Sequence, residues 1–425
     1  MDRFYRLIFL ILFLLPLLVV NNLHAQTPRY EVLPSPDIWY NDVDGILLGI
    51  RLKGQVPGTF EDGPHRLETG FWVGAWLPSL PVSYFLTFTE PIGQWSDYGS
   101  EANIQLRSSI RTGYHNHGIG FNKRWQQGFD ERRYREFSIY NSFEKRFDHE
   151  YVPFEPLWSE FDELTQQFSD QSKLLTSLRF ELQNDNALGW YNVQAGTRFQ
   201  YLNDFFTTAT VRATQRIPFN DYFGLRLRGY VGLASENAAP EYIYSRSTRP
   251  PIDWMSNAFT RAKGTIPTRW MESGNIHVAG GANVRGYNSR DIASFQYCKS
   301  DPSDVICITS PNRFNSVASI NAELDYWNPI GVLFNDIPYA SEFLNFRTYL
   351  FFDSGTSLGI TDRDPDGAFS NAGAGFSLSL NIPDYLGKPR GFVLRYEIPF
   401  WLSDAGDQNS FKFRHLFGFG AVVSF

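Results

Sequence analysis

The residue with the most chemistry to offer is Arg285, in the stretch Gly280-Gly281-Ala282-Asn283-Val284-Arg285-Gly286-Tyr287. A guanidinium carries its charge at any physiological pH and presents five donors in a rigid fork, so it pairs bidentately with carboxylates. Three carboxylates further along the chain sit in strand-like surroundings: Glu323 and Asp325, two residues apart, and Asp353 in Phe351-Phe352-Asp353-Ser354-Gly355. On an extended backbone side chains two apart share a face. Glu323 and Asp325 therefore point one way, and Asp353 points with Arg347 and Tyr349, away from Leu350 and Phe352. Arg285 is either a solvated loop residue or a cation enclosed with such partners, since an unpaired charge out of water is costly and a paired one is tolerable.

Other candidate chemistry is sparse. Cys298 and Cys307 are the two cysteines; in an exported protein they read as a disulfide, and no nearby His completes a zinc set. His115 and His117 read as loop or rim residues, without the His-Glu-x-x-His pattern of a zinc hydrolase. Asp362, Asp364 and Asp366 match half of a calcium loop, but Pro365 interrupts it and the distal Glu is missing, so a solvated turn is expected. No Ser-His-Asp set can be placed. The expectation is a protein that is not an enzyme, with no cofactor and no metal.

The elements that must position these residues are strands. Ile46, Leu48, Ile50 and Leu52 alternate with Gly49, Arg51 and Lys53, the period of two of a half-buried strand. The pattern recurs through Leu174 to Gln183, Gly189 to Tyr201, Phe205 to Ile217 and Phe223 to Leu233, where the polar face carries Arg226 and Arg228. Ten such strands precede the long aperiodic segment from Glu236 to Arg313, and five follow it. The last places Phe417, Phe419, Ala421, Val423 and Phe425 on one face.

Composition names the class. The chain is 17% aromatic with 34 Gly, a net charge of −7 and a mean hydropathy of −0.30. Strands apolar at every second position with aromatic girdles describe a transmembrane β-barrel, an all-β antiparallel fold. The acidic balance argues against nucleic acid as a partner. Arg3, Arg6, the apolar run Leu7 to Val20 and Ala25 read as a secretory signal peptide over 1–25. Residues 26–43 read as a short extension and 44–425 as one membrane domain.

A bacterial single-chain barrel has an even number of strands, so sixteen are expected and one is missing from this reading. The candidate place is Phe147 to Lys173, around Tyr151 to Pro156. Behind it Phe161, Leu164 and Phe168 fall at helical spacing after a possible cap at Ser159, which predicts a short loop helix.

Val284-Arg285-Gly286-Tyr287 resembles the V-R-G-F/Y motif of the outer-membrane superfamily that contains BamA, TamA and FhaC. Phe351-Phe352-Asp353-Ser354-Gly355 resembles its F-x-D-x-G motif, likewise on the second strand after the motif-bearing loop. Asp325, four positions before Pro329 on the first such strand, resembles the family's acidic residue. The resemblance implies eleven strands before the loop, five after it and a terminal strand with Phe417, Phe419 and Phe425 that the barrel-assembly machinery reads. It also implies that the loop folds into the lumen, where Arg285 pairs with Asp353 and with Asp325 or Glu323, beside Gly355. No POTRA domain can be placed ahead of the barrel, so the resemblance is to a POTRA-less member. The expected setting is the outer membrane of a Gram-negative bacterium, in contact with lipid. The expected roles are protein assembly or protein and lipid translocation, with other outer-membrane or periplasmic proteins supplying POTRA function. The alternative is a structural or channel barrel.

Overall fold

The computed structural model of the chain describes residues 30–41, 45–56, 65–75, 82–111, 113–126, 132–149, 157–162, 167–169, 171–220, 222–253, 273–289, 295–301, 304–310, 313–329, 331, 343–359, 366–382, 390–406 and 409–423. Its main sheet has seventeen strands. Sixteen form an antiparallel meander in which sequence neighbours pair. These are β1 (Glu31–Asn41), β2 (Gly45–Gln55), β3 (Arg66–Gly74), β4 (Val82–Pro91), β5 (Ser100–Arg111), β6 (Tyr114–Gln126), β7 (Tyr134–Arg146), β8 (Ser172–Asn186), β9 (Gly189–Gln200), β10 (Phe206–Pro218) and β11 (Gly224–Ala234) before the long segment. After it come β12 (Phe314–Asp325), β13 (Leu344–Gly359), β14 (Asp366–Ile382), β15 (Arg390–Leu402) and β16 (Leu416–Val423). The seventeenth is the dipeptide Ile276–His277, a strap inside the long segment. The presumed signal peptide lies outside the described residues.

Eleven strands therefore precede the loop and five follow it, but the eleventh is not where the sequence suggested. Residues 26–43, read as an extension, contain β1, which pairs along its whole length with β2, from Glu31 opposite Gln55 to Asn41 opposite Gly45. Pro34 and Pro36 disguise it, since a proline cannot donate to a ladder. The β2 ladder spans both prolines, and the strand's alternation is intact: Val32 and Ile38 are exposed while Ser35 and Asp37 are buried.

Between Phe147 and Gln171 the described residues contain no wall strand. Phe161–Asp162 pairs with Gln167–Phe168 in a two-residue ladder, which replaces the predicted helix turn; Leu164 and residues 150–156 lie outside the described residues. Ser159 caps nothing. Its amide and hydroxyl both donate to the Glu241 carboxylate of the long loop, at 3.0 Å each.

The two faces of the sheet invert the usual pattern of a soluble domain. Ile320, Leu324, Leu350, Phe352, Val231 and Leu233 are exposed, while their alternates Ser319, Asn321, Tyr349, Asp353 and Tyr230 are buried. Large apolar side chains on the outside and polar ones enclosed are what a lipid-facing wall around a wet lumen requires.

Described parts of the long loop, around Tyr242 to Ile252 and Ile276 to Tyr287, occupy that interior, and the loop is more structured than its sequence suggested. It makes short 3-10 turns at Pro240–Tyr242 and Pro251–Asp253, the strap, and a hairpin of Phe295–Asp301 with Asp304–Ser310. Two apolar clusters fix it against the wall. Tyr242, Ile243, Ile252 and Val278 pack on Tyr114, Leu175 and Phe206. Ala282, Val284 and Tyr287 pack on Tyr230, Val317, Phe369 and Leu402. The inward-facing Leu175 and Phe206 thus meet loop side chains instead of water. A cavity of about 750 Å³ is left beside the loop, lined by Arg107, Tyr140, Glu144, Arg198, Tyr242 and Asp253 among others.

Among the described residues no ladder joins β1 to β16. β1 pairs only with β2, and the second edge of β16 meets the strap.

Candidate functional site

The chain enters the site through a run of unusual backbone. Asn283 has φ +59° and Gly286 φ +88°. At Gly286 a Cβ would stand 2.9 Å from both Leu402 Cδ2 and Pro399 Cβ of β15, so only glycine brings the loop this close to the wall. A similar constraint holds across the gap. A Cβ on Gly355 of β13 would lie 2.8 Å from the Ala318 carbonyl and 3.1 Å from Val284 Cγ2, so Gly355 makes the recess that Val284 fills.

Between these two glycines the Arg285 side chain is fully buried. Its Nε donates to Asp353 Oδ2 at 2.8 Å and its Nη2 to Asp353 Oδ1 at 2.7 Å, a bidentate fork; its backbone amide adds a bond to Asp353 Oδ2 at 3.2 Å. Nη1 donates to Glu323 Oε1 at 2.9 Å and to Glu397 Oε1 at 2.8 Å. The guanidinium carbon lies 3.8 Å from the centre of the Phe351 ring, a cation–π contact. One cation thus ties the loop to three strands, β12, β13 and β15.

The carboxylates are held in turn. Asn321 donates to Asp353 Oδ1 at 3.0 Å and to the Asn283 carbonyl at 3.0 Å. Tyr349 donates to Glu397 Oε1 at 2.6 Å, and Arg347 to Glu323 Oε2 at 2.7 Å. Asn371 of β14 donates to the Arg285 carbonyl at 2.6 Å, and Tyr287 to the Ser370 carbonyl at 3.0 Å. Such a network rigidifies what it holds when its members are satisfied.

Of the residues singled out from sequence, the structure brings Val284, Arg285, Gly286, Tyr287, Asp353, Gly355 and Glu323 together. Of the two alternatives for the second partner, Glu323 bonds Arg285 and Asp325 stands apart. It pairs with Arg347 and, at 3.2 Å, with Arg226 of β11. It sits two residues, about 7 Å, along β12 from Glu323, beyond the reach of a guanidinium already committed to Asp353.

Two site residues were missed. Glu397 lies in Arg395-Tyr396-Glu397 on β15 and belongs to neither matched motif; its signal was the alternation that puts it beside Arg395 on the polar face. His277 lies in the loop with no periodicity to mark it. Its Nε2 is 3.0 Å from Asn283 Oδ1, and its Nδ1 is 2.9 Å from Glu397 Oε2, a close contact off the hydrogen-bonding axis.

Among the remaining candidates, His115 and His117 lie next to each other at the start of β6, with ring nitrogens 3.3 Å apart and Ser108 on His117 at 2.8 Å. Cys298 and Cys307 are register partners in the loop hairpin. Asp362 and Asp364 lie outside the described residues. The described residues contain no cluster of three or more His, Cys, Asp or Glu suited to a metal. Phe417 is exposed on the outer face of β16, Phe419 lies on the same strand, and Phe425 is outside the described residues.

Neither a family profile nor a curated protein matches the sequence. Solved structures do. BamA from Haemophilus ducreyi lacking POTRA domains 1–3 superposes with a TM-score of 0.50 at 12% identity, over 92% of this chain and 70% of that one. The chain has the fold of the BamA barrel. CdiB from Escherichia coli gives 0.42 at 11% identity, over 94% of this chain and 64% of that one. CdiB from Acinetobacter baumannii gives 0.38 at 12%, over 94% and 60%. In this BamA-like barrel Arg285 sits in a buried ion-pair cluster. What it can do is fix a loop inside the lumen, at three points of the C-terminal wall.

Proposed function

We propose that the chain is an outer-membrane β-barrel that handles polypeptide or lipid, in membrane-protein assembly or in translocation, through its seam and its plugged lumen. The observation that carries this reading is the seam: β1 and β16, which have to pair to close a cylinder, make no ladder among the described residues. Backbone groups left unpaired in lipid cost several kcal/mol each, so a wall without that ladder needs a partner for those edges. The fold likeness to BamA supports the same reading. The work is mechanical: no catalytic step, cofactor or metal is involved. Lipid, the barrel-assembly machinery and POTRA-bearing proteins are the expected partners.

Depletion of the protein followed by quantitative proteomics of the outer membrane tests this. Loss of many barrels supports assembly, and loss of one exported substrate supports transport. No change in either overturns the proposal in favour of a structural or channel barrel. A pull-down with the tagged protein then shows whether POTRA-bearing partners bind it.

A further inference from the structure

The edge of β16 that faces away from β15 is occupied from inside. Ile276 lies opposite Phe417 and His277 opposite Gly418 in parallel register, and the Phe417 amide donates to the Asn275 carbonyl at 2.8 Å. A strand edge presents one row of donors and acceptors. Where the strap lies along Phe417 and Gly418, neither β1 nor any other strand can pair on that edge.

We infer that the Asn275–His277 strap is a latch on the last strand, and that His277 links it to the Arg285 cluster so that plug and seam move together. The inference rests on the reading of the seam given above.

Two paired residues hold little by themselves, since each backbone bond contributes only about 1 kcal/mol net. The side chains supply the rest. His277 is 1% exposed and stands between Asn283 of the plug and Glu397 of β15. The groups around that contact are Arg285 at 2.8 Å and Tyr349 at 2.6 Å on Glu397 Oε1, with Arg395 Nη1 at 3.8 Å. Asn288 donates to the Ile276 carbonyl at 2.7 Å, which fixes the strap to the chain just beyond the Arg285 motif. On β16 the approach depends on Gly418, where a Cβ would come 3.0 Å from the His277 carbonyl and 3.3 Å from Arg395 Cβ. The strap is thus tied to the last strand, to the plug and to the wall carboxylate that Arg285 also binds. If Arg285 leaves Glu397, the strap loses its anchor. If the strap leaves β16, the edge is free for a strand.

The test uses the full-length purified protein in detergent with Cys298→Ser and Cys307→Ser, carrying Ile276→Cys and Phe417→Cys. Paired Cα atoms about 4.8 Å apart lie within disulfide range, so oxidant should join strap and β16 efficiently. Adding His277→Ala, or Gly418→Val in its place, is expected to lower the cross-link yield at a fixed oxidation time by about fivefold or more. His277→Gln, which keeps a side-chain amide toward Asn283, should recover part of it. Heat-modifiable gel mobility identifies folded barrels, and Gly418→Val decides the matter if His277→Ala does not fold. Equal cross-linking with and without these changes overturns the latch. The assay needs no partner or substrate, so it fails or succeeds independently of the depletion experiment. In cells, an oxidised cross-link that reproduces the depletion phenotype and is reversed by reductant supports the coupling of latch to function. An oxidised cross-link without effect, in a strain where depletion has one, overturns that coupling.

Discussion

Arg285 makes its bonds as a buried cation surrounded by three carboxylates, and that sets what its removal does. Arg285→Ala removes the cation shared by Asp353, Glu323 and Glu397, of which Glu323 keeps its bond to Arg347, a defect of about 3–5 kcal/mol when a buried pair is broken. The expected result is a barrel that loses its heat-modifiable band at a lower temperature and a loop that becomes sensitive to protease; heat-modifiability and conductance both unchanged would refute the pairing. Arg285→Lys should recover little, because an ammonium cannot reproduce the fork on Asp353 together with the bonds to Glu323 and Glu397. Gly286→Ala should destabilise the loop as well, through a strained φ of +88° and contacts of 2.9 Å with Leu402 and Pro399, by about 1–3 kcal/mol. It shows as the same shift in the gel melting profile. Asp353 and Glu323 were legible in the sequence because a strand's period of two assigns faces without further information. Glu397 and His277 were not, since nothing local records that a loop over a hundred residues upstream reaches β15; that contact is a property of the folded wall.

At the scale of the element, the strands with full alternation were readable and those with a local contradiction were not. β1 carries two prolines, Pro34 and Pro36, within a ladder that pairs every residue from Glu31 to Asn41 with β2. Between the two short paired runs of the loop hairpin the sequence reads Pro302-Ser303, a turn signal that leaves no long period to recognise. Its register puts Cys298 opposite Cys307, at a separation a disulfide can span. Thiol titration of the denatured protein without reductant should find no free thiol, and two after reduction; two before reduction would exclude the bond. The predicted helix around Phe161 failed for a different reason. Helical spacing over three residues is also what a short turn produces, and the contact of Ser159 with Glu241 of the long loop outweighs a local preference.

For the whole molecule, the loop packs against only part of the wall and leaves the cavity beside Arg107, Tyr140, Glu144 and Arg198. Reconstituted in planar bilayers, the protein is expected to show small conductance steps that grow when Arg285→Ala unseats the loop, whereas a conductance independent of that change would place the ion path elsewhere. The overall class was readable from composition and alternation. The seam was not, because an edge is the absence of a partner and sequence records residues, not pairings.

The attachment of one side chain to three strands has a consequence for how the protein is made. Asp353, Glu323 and Glu397 come from β13, β12 and β15, so the loop can seat only after these strands have aligned. A slip of β13 by one residue would turn Asp353 to the outer face and strand the guanidinium. Seating of Arg285 therefore reports on strand register: a misregistered wall cannot offer its own loop all three carboxylates.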